Sequence, residues 1–245
     1  VASTAATSNF LMQICSTAQK PLVQQLDSLT HAYESNGFHG VVLVAKEGQV
    51  LYEKGYGLAD FDKKTPHTTT TVFKTESVGK MFTAVAIMQL IEQKKLELHQ
   101  TVKELLPELA VKQADKITIH HLLNHTSGLK SPWDHPQWTF KKEYTKAEQQ
   151  KMVAEVPSAF DSVGKEMYYS NSGYVVLGWI IVKLTGKPFD LYFSNNFFTP
   201  LGMRTTGNLG DTVMPRKGGA QPYQVISSKK FIKMNRALGL KAGAA

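Results

Sequence analysis

The strongest apolar pattern in the chain runs from Met81 to Ile91, where nine of eleven residues are apolar. A helix that is apolar on nearly every side is typical of a buried element. We therefore predict a buried helix within residues 72–91. Ser77 and Lys80 stand three positions apart, so the first turn of this helix should hold them on one face.

A second apolar run extends from Tyr174 to Leu184, where ten of eleven residues are apolar or glycine. Gly186 and Pro188 end the run, which predicts another buried helix. The pattern predicts shorter helices at 102–106, 117–124, 189–198 and 145–155, the last with a Thr145–Glu148 capping box. Residues 130–144 show no helical period and are predicted to be irregular, with side chains that could line a cleft.

The residue pattern of the N-terminal part predicts an amphipathic helix followed by a β-hairpin. Leu22, Leu26, Leu29 and Tyr33 form one helical stripe behind Pro21, which predicts a helix to about Ser35. Residues 40–45 and 49–56 are rich in β-forming side chains and flank a turn containing Gly48. Residues 60–71 are polar and are predicted to form a loop.

The composition is that of an ordinary globular protein, with 42% hydrophobic and 20% charged residues among 245. No run approaches the roughly 18 apolar residues of a transmembrane helix. The chain starts without Met, a basic region or an apolar leader, which suits an exported protein, periplasmic or extracellular, whose signal peptide is absent from this sequence. The single cysteine, Cys15, excludes an internal disulfide, and its role stays open.

The net charge of +8 comes almost entirely from the C-terminal segment. After Asp211 the chain has no acidic residue, and only Tyr223 and Phe231 are aromatic, so a nucleic-acid partner is not predicted. A solvated face, an anionic surface or a partner segment fits this charge better. The basic residues are Arg216, Lys217, Lys229, Lys230, Lys233, Arg236 and Lys241.

The sequence contains no convincing motif for binding a metal or a nucleotide cofactor. His120 and His121 would point in different directions on a helix, and His125 follows without a cysteine or carboxylate at ligand spacing. No nucleotide-binding glycine motif is present. The segment around Ser77 lacks the first glycine of a G-x-S-x-G elbow. We therefore predict neither a metal nor a cofactor.

A more informative set comprises Ser77, Lys80, Tyr169 and Asn171, each of which stands where a buried helix begins. Burial disfavours the charged form of lysine, so Lys80 could accept the proton of the Ser77 hydroxyl. The positive end of a helix favours an oxyanion or a phenolate, and Tyr169 could relay a proton to a leaving group. The structural alternatives are a capping serine, a solvated lysine, a packed tyrosine and a capping asparagine.

Four motif blocks follow one another along the chain. They are Ser77-Val-Gly-Lys80, the stretch from Ile117 to Leu129 that contains His125-Thr-Ser-Gly128, Tyr169-Ser-Asn171, and Pro200-Leu-Gly-Met203. In order and spacing, these blocks resemble the serine β-lactamase and penicillin-binding-protein superfamily, in particular class C β-lactamases, D-Ala-D-Ala carboxypeptidases and related carboxylesterases. The similarity extends from about Gly40 to Met203.

This resemblance implies an α+β fold of two lobes, with an antiparallel sheet flanked by helices, an all-helical lobe and the site between them. Ser77 would be the acylated nucleophile, Lys80 its base or charge partner, and Tyr169 the proton relay. Asn171 would hold the substrate amide and orient Lys80. Tyr168 has no asparagine two positions after it, as the family's Y-x-N motif requires, and is interpreted as a packing residue. As one catalytic domain, residues 20–75 would belong to the α/β lobe, 76–205 to the helical lobe and 206–245 to a basic irregular tail.

The family's third motif, Lys or His followed by Thr or Ser and Gly, does not occur in the chain. Lys241-Ala242-Gly243 lacks the hydroxyl and comes too early. The later sheet strands are also missing from the sequence. We therefore expect an N-terminal portion of the domain with an incomplete sheet, and a second chain is one possible source of the rest.

The predicted function is that of a cofactor-free serine hydrolase acting on a β-lactam or a D-Ala-D-Ala peptide, with peptidoglycan among its candidate partners. A carboxylesterase or another peptidase of the same fold is the first alternative, because these enzymes share the motifs. A non-catalytic scaffold that only binds peptidoglycan is the alternative from another class.

Overall fold

The computed structural model describes residues 21–139, 144–207, 219–221, 223–227 and 230–233. Contacts divide the chain into two compact units. The first comprises residues 1–72 and 218–234, and the second comprises residues 73–217 and 235–245. Within the described ranges, no helix is both long enough and apolar enough to cross a membrane.

The first unit is built on a helix and a hairpin, as predicted. Helix α1 spans Leu22–Ser35, strand β1 spans Gly40–Lys46 and strand β2 spans Gln49–Tyr56. The strands pair antiparallel, with an irregularity between Val44 and Ala45. Glu47 and Gly48 both have positive φ, as a tight two-residue hairpin turn requires.

Asp27 connects α1 to the hairpin. Its carboxylate accepts hydrogen bonds from Lys54 at 2.7 Å, Tyr56 at 2.8 Å and Tyr52 at 2.9 Å. The bonds from Lys54 and Tyr52 hold the pKa of Asp27 below its ordinary value. Burial, followed by the bond to Asp27, raises the pKa of Tyr52 to about 12. The face of α1 that meets the hairpin is therefore partly polar.

The predicted apolar stripe of α1 does not form its buried face. Leu22, Leu29 and Tyr33 are exposed, and Thr30 is the buried residue of the helix. The polar contacts of Asp27 orient the helix on the hairpin, which periodicity alone does not reveal.

Two further strand pairs extend the first unit. Strand β3, Leu58–Asp60, pairs antiparallel with strand β4, Thr65–Pro66. Strand β4 lies within residues 60–71, which were predicted to be a loop, because a strand of two residues is too short to show an alternating pattern. Strands β5, Tyr223–Ser227, and β6, Lys230–Lys233, pair within the segment for which no regular structure was predicted. The Tyr223 hydroxyl donates to Asp60 at 3.3 Å and accepts from the amide of Phe61 at 3.0 Å.

The second unit is helical. Its elements confirm the short helices predicted from the sequence and the Thr145–Glu148 capping box. A 3₁₀ turn at Pro132–Asp134 interrupts the predicted irregular stretch, of which residues 140–143 lie outside the described part. The helices are α2 at Lys80–Glu92, α3 at Val102–Leu105, α4 at Ile119–Leu123, α5 at Lys146–Glu155, α6 at Asn171–Thr185 and α7 at Phe189–Phe193, which continues into a π-helical turn at Ser194–Phe198.

Helix α6 is the centre of this unit. Every residue from Asn171 to Ile181 is buried, and helices α2, α4 and α7 contact α6. The start of α6 is therefore held inside the unit.

Helix α2 is buried on only one side, which corrects the expectation of a wholly buried helix. Lys80, Thr83, Ala86, Ile87 and Leu90 form its buried face. The opposite face is apolar and exposed, and it comprises Met81, Val85 and Met88, with Val78 in the preceding turn. An apolar composition does not by itself report which faces of a helix are covered.

We expect Leu90→Ala to destabilise the protein by about 2–5 kcal/mol, because the side chain is fully buried against α6 and its neighbours and its loss leaves a cavity. Met88→Ala, on the exposed face of the same helix, should change stability by no more than ~0.5 kcal/mol. Urea unfolding of both variants measures the difference. Equal losses would contradict the assignment of the two faces.

Candidate active site

Ser77 and Lys80 are in direct contact. A 3₁₀ turn, Glu76–Gly79, leads into α2 at Lys80, and its three residues per turn align positions three apart. The Lys80 Nζ donates a hydrogen bond to the Ser77 Oγ at 3.1 Å. Ser77 is exposed and Lys80 is 6% exposed. The hydroxyl can therefore meet a ligand from solvent while the amine is held inside the protein.

The residue before Ser77 has an unusual backbone. Glu76 has φ of +46°, a left-handed conformation that side chains other than glycine adopt rarely. Such conformations cluster at functional sites, where surrounding structure maintains them. Here the turn presents Ser77 at the entrance to α2 without the glycine that an α/β-hydrolase elbow uses.

Two tyrosine rings surround the Lys80 amine. Its Nζ lies 5.3 Å from the centroid of the Tyr169 ring and 5.8 Å from that of Tyr174. An ammonium at these distances is attracted to the face of an aromatic ring. The rings therefore provide Lys80 with partners that are compatible with its burial.

The two tyrosines differ in their hydroxyl groups. The Tyr174 hydroxyl donates to the Leu123 carbonyl at 3.0 Å, and burial followed by the charge of nearby Tyr169 raises the pKa of Tyr174. Tyr169 is 46% exposed. Tyr169 is therefore the tyrosine of the pair that can exchange protons with a ligand. Tyr174 was not singled out from the sequence, although its position three residues after Asn171 places both on one helix face.

Asn171 begins α6 but does not cap it. Ser170 is the cap, and its Oγ accepts from the Gly173 amide at 2.9 Å, so the capping interpretation of Asn171 is wrong. The Asn171 Nδ2 donates instead to the Ser131 Oγ at 3.1 Å, and both residues are buried. Ser131 was missed from the sequence because it lies in the irregular stretch 40 positions away.

His125 packs against the two tyrosines from the end of α4. Its ring centroid lies 4.5 Å from that of Tyr169 and 5.2 Å from that of Tyr174. Burial, followed by the charge of Lys80, holds the pKa of His125 below its ordinary value. His125 entered the sequence interpretation as a metal-ligand candidate and as part of a family block, not as a neighbour of Tyr169.

The neighbouring His120 faces the Asn124 side chain, whereas His121 contacts the backbone. The His121 Nδ1 lies 3.2 Å from the Lys116 carbonyl oxygen. Across the described residues, no three His, Cys, Asp or Glu side chains are grouped closely enough to hold a metal ion. The chemistry that the described geometry supports is that of a hydroxyl, an amine and a phenol.

Comparisons with known proteins identify the family of the chain. A protein-family model described as Beta-lactamase matches residues 23–222. Penicillin-binding protein 4* of Bacillus subtilis (strain 168) is 34% identical over 176 residues, which cover 71% of this chain and 38% of the relative. The chain therefore spans less than half the length of this curated relative.

Solved structures show the same fold. An octameric penicillin-binding protein homologue from Pyrococcus abyssi is 26% identical with a TM-score of 0.74, over 91% of this chain and 52% of that protein. EstCE1, described as a hydrolase with promiscuous acyltransferase activity, is 27% identical with a TM-score of 0.71, over 88% of this chain and 59% of that protein. The chain therefore belongs to the β-lactamase family and has the α+β fold of β-lactamases and penicillin-binding proteins, as the resemblance of its motifs predicted.

Proposed function

We propose that this chain carries the nucleophile of a serine hydrolase that forms an acyl-enzyme on Ser77 with an amide or ester carbonyl. The observation that carries the proposal is the 3.1 Å hydrogen bond between the buried Lys80 amine and the exposed Ser77 hydroxyl. A serine hydroxyl is a weak nucleophile unless an adjacent base accepts its proton. Lys80 is the adjacent group of the required type.

In the acylation step, the Ser77 Oγ attacks the substrate carbonyl carbon and its proton passes to the neutral Lys80 amine. Collapse of the tetrahedral intermediate breaks the bond to the leaving group, which takes a proton through Tyr169. Lys80 then returns its proton to Tyr169, so that both groups regain their starting states. In deacylation, water attacks the ester carbonyl carbon and the bond to the Ser77 oxygen breaks. One water proton passes by way of Lys80 to the Ser77 oxygen, and the product leaves as a carboxylic acid.

Asn171 is proposed to bind the substrate amide and to orient Lys80. Its Nδ2 is already committed to Ser131, which fixes the plane of the side-chain amide. The Oδ1 atom can then accept a hydrogen bond from a substrate N–H or from the Lys80 amine. A substrate with an amide beside the reacting carbonyl matches this donor and acceptor pattern.

The proposed substrate class is a β-lactam or a D-Ala-D-Ala peptide, which makes peptidoglycan precursors candidate partners. The Tyr169-Ser-Asn171 pattern supports an amide substrate, and the relative named as a penicillin-binding protein supports the same class. A carboxylesterase of the same fold is the second candidate, supported by the likeness to EstCE1. We also propose an exported location, because such substrates lie outside the cytoplasmic membrane.

We expect the full-length protein to be labelled covalently by a fluorescent penicillin, with the added mass on Ser77. Ser77→Ala should abolish this label and lower turnover by about 10³-fold or more, because it removes the hydroxyl that accepts the Lys80 hydrogen bond. Mass spectrometry of the digested protein locates the label. Ser28→Ala, at an exposed serine of α1, is the control. Full turnover by Ser77→Ala would rule out Ser77 as the nucleophile.

The choice between amide and ester is tested by comparing kcat/KM for nitrocefin and for a p-nitrophenyl ester. We expect the β-lactam to be the better substrate, since Asn171 can pair with its amide. A folded protein that hydrolyses only the ester would support the carboxylesterase. A folded, full-length protein that takes no label from penicillin or a fluorophosphonate would support the non-catalytic scaffold.

Tyr169→Phe should lower kcat by about 10²- to 10⁴-fold with little change in KM, because it removes the proton relay while keeping the ring against Lys80 and His125. Steady-state kinetics on nitrocefin measure this effect. Tyr168→Phe is the matched control, since Tyr168 is interpreted as packing, and its kinetics should equal those of the wild type. A Tyr169→Phe variant with unchanged kcat would exclude the relay.

A further inference from the structure

The proposed acylation chemistry leaves His125 without a role, although it lies half-buried within the site. It follows α4 directly and has φ of +63°, a left-handed conformation that is uncommon outside glycine. Residues maintained in this conformation are candidates for a functional constraint.

His125 holds the backbone on both sides of Tyr169. Its carbonyl oxygen accepts a hydrogen bond from the Tyr168 amide at 2.9 Å. Its ring Nδ1 accepts one from the Ser170 amide at 3.0 Å. One residue therefore binds the amide N–H groups of the residues immediately before and after Tyr169, and its ring also contacts the Tyr169 ring.

The second hydrogen bond defines the protonation state of the imidazole. Because the Ser170 amide can only donate, Nδ1 must carry no proton, and in the neutral ring the proton is on Nε2. Protonation of Nδ1 would place its N–H opposite the Ser170 N–H, and because both groups are donors the hydrogen bond between them would be lost. The titratable groups that face the ring are Lys80 from α2, Tyr174 from α6 and Tyr169 from the preceding loop.

We propose that His125 is a positioning residue, which in its neutral Nε2–H form holds Tyr169 in place for proton transfer and sets the acid limit of turnover. This inference rests on the proposed function, because Tyr169 acts there as the proton relay. His125 need not touch the substrate. Its effect is exerted through the backbone on either side of Tyr169.

The direction of the pH effect follows from the surroundings of His125. Burial and the Lys80 charge hold the pKa of His125 below the ordinary 6.5, so the fold favours the neutral ring. This preference is fully present above pH 6.5 and is lost as the pH falls through the lowered pKa. Turnover should therefore fall on the acid side of pH 6.5 as the Ser170 bond is lost.

The test compares His125→Ala with His125→Asn in the full-length protein. Asparagine offers Oδ1 as an acceptor in place of Nδ1 and tolerates a left-handed backbone, whereas alanine offers no side-chain acceptor. We expect His125→Ala to lower kcat by about 10²-fold with little change in KM, since a small displacement of a reacting group costs this much. His125→Asn should recover most of the loss and lack the acid limb that His125 causes.

His120→Asn is the matched control, because His120 is an exposed histidine on the neighbouring helix α4. It should keep the wild-type kcat and the wild-type pH profile. Wild-type kcat in His125→Ala would overturn the proposal. An unchanged acid limb in His125→Asn would overturn the pH-dependent part of it.

A measurement without turnover separates this proposal from the proposed function. Imidazole ¹⁵N NMR of the wild-type protein should show His125 Nδ1 unprotonated and Nε2 protonated at neutral pH. A protonated Nδ1 would overturn the positioning role even if the protein hydrolyses β-lactams. Conversely, failure of penicillin and fluorophosphonate to label the folded wild type would remove the proposed function while the spectrum still reports the His125–Ser170 bond. The spectrum also keeps the test decisive if His125→Ala does not fold.

Discussion

The burial of the Lys80 amine is the constraint on which the arrangement of the second unit depends. An unpartnered charge in a protein interior is costly, so the surrounding residues must either solvate it or keep it neutral. The described contacts solvate it, because Ser77 provides an oxygen and the rings of Tyr169 and Tyr174 provide aromatic faces. An aromatic face attracts an ammonium more strongly than a neutral amine.

This environment exists because α6 starts inside the unit. Ser170 ends the preceding loop and caps the helix, so the first turn is satisfied without using Asn171. The side chain of Asn171 is thereby available to bind Ser131, and Tyr174 can reach the Leu123 carbonyl one turn later. The packing that stabilises the unit and the placement of polar groups around Lys80 are thus consequences of the same helix start.

The sequence predicts the structural features that depend on residues close together along the chain. The hairpin, the helix bounds and the Ser77–Lys80 proximity follow from spacings of two to four residues, and the structure reproduces them. The Asn171–Ser131 and Ser170–His125 bonds join residues 40 and 45 positions apart, so no local period reports them. Exposure also depends on residues far apart in the sequence. The local pattern therefore could not reveal that the apolar stripes of α1 and α2 are largely exposed. The predicted domain boundaries and residue roles remain predictions.

His125 and Lys80 contact the same two tyrosine rings. The positive charge of Lys80 disfavours a second positive charge on His125, so the neutral form of the imidazole is favoured. The same neutral ring is the form that can accept the Ser170 amide. Geometry and electrostatics thus favour one protonation state of His125, and this agreement explains why a half-buried histidine with a strained backbone is compatible with the site.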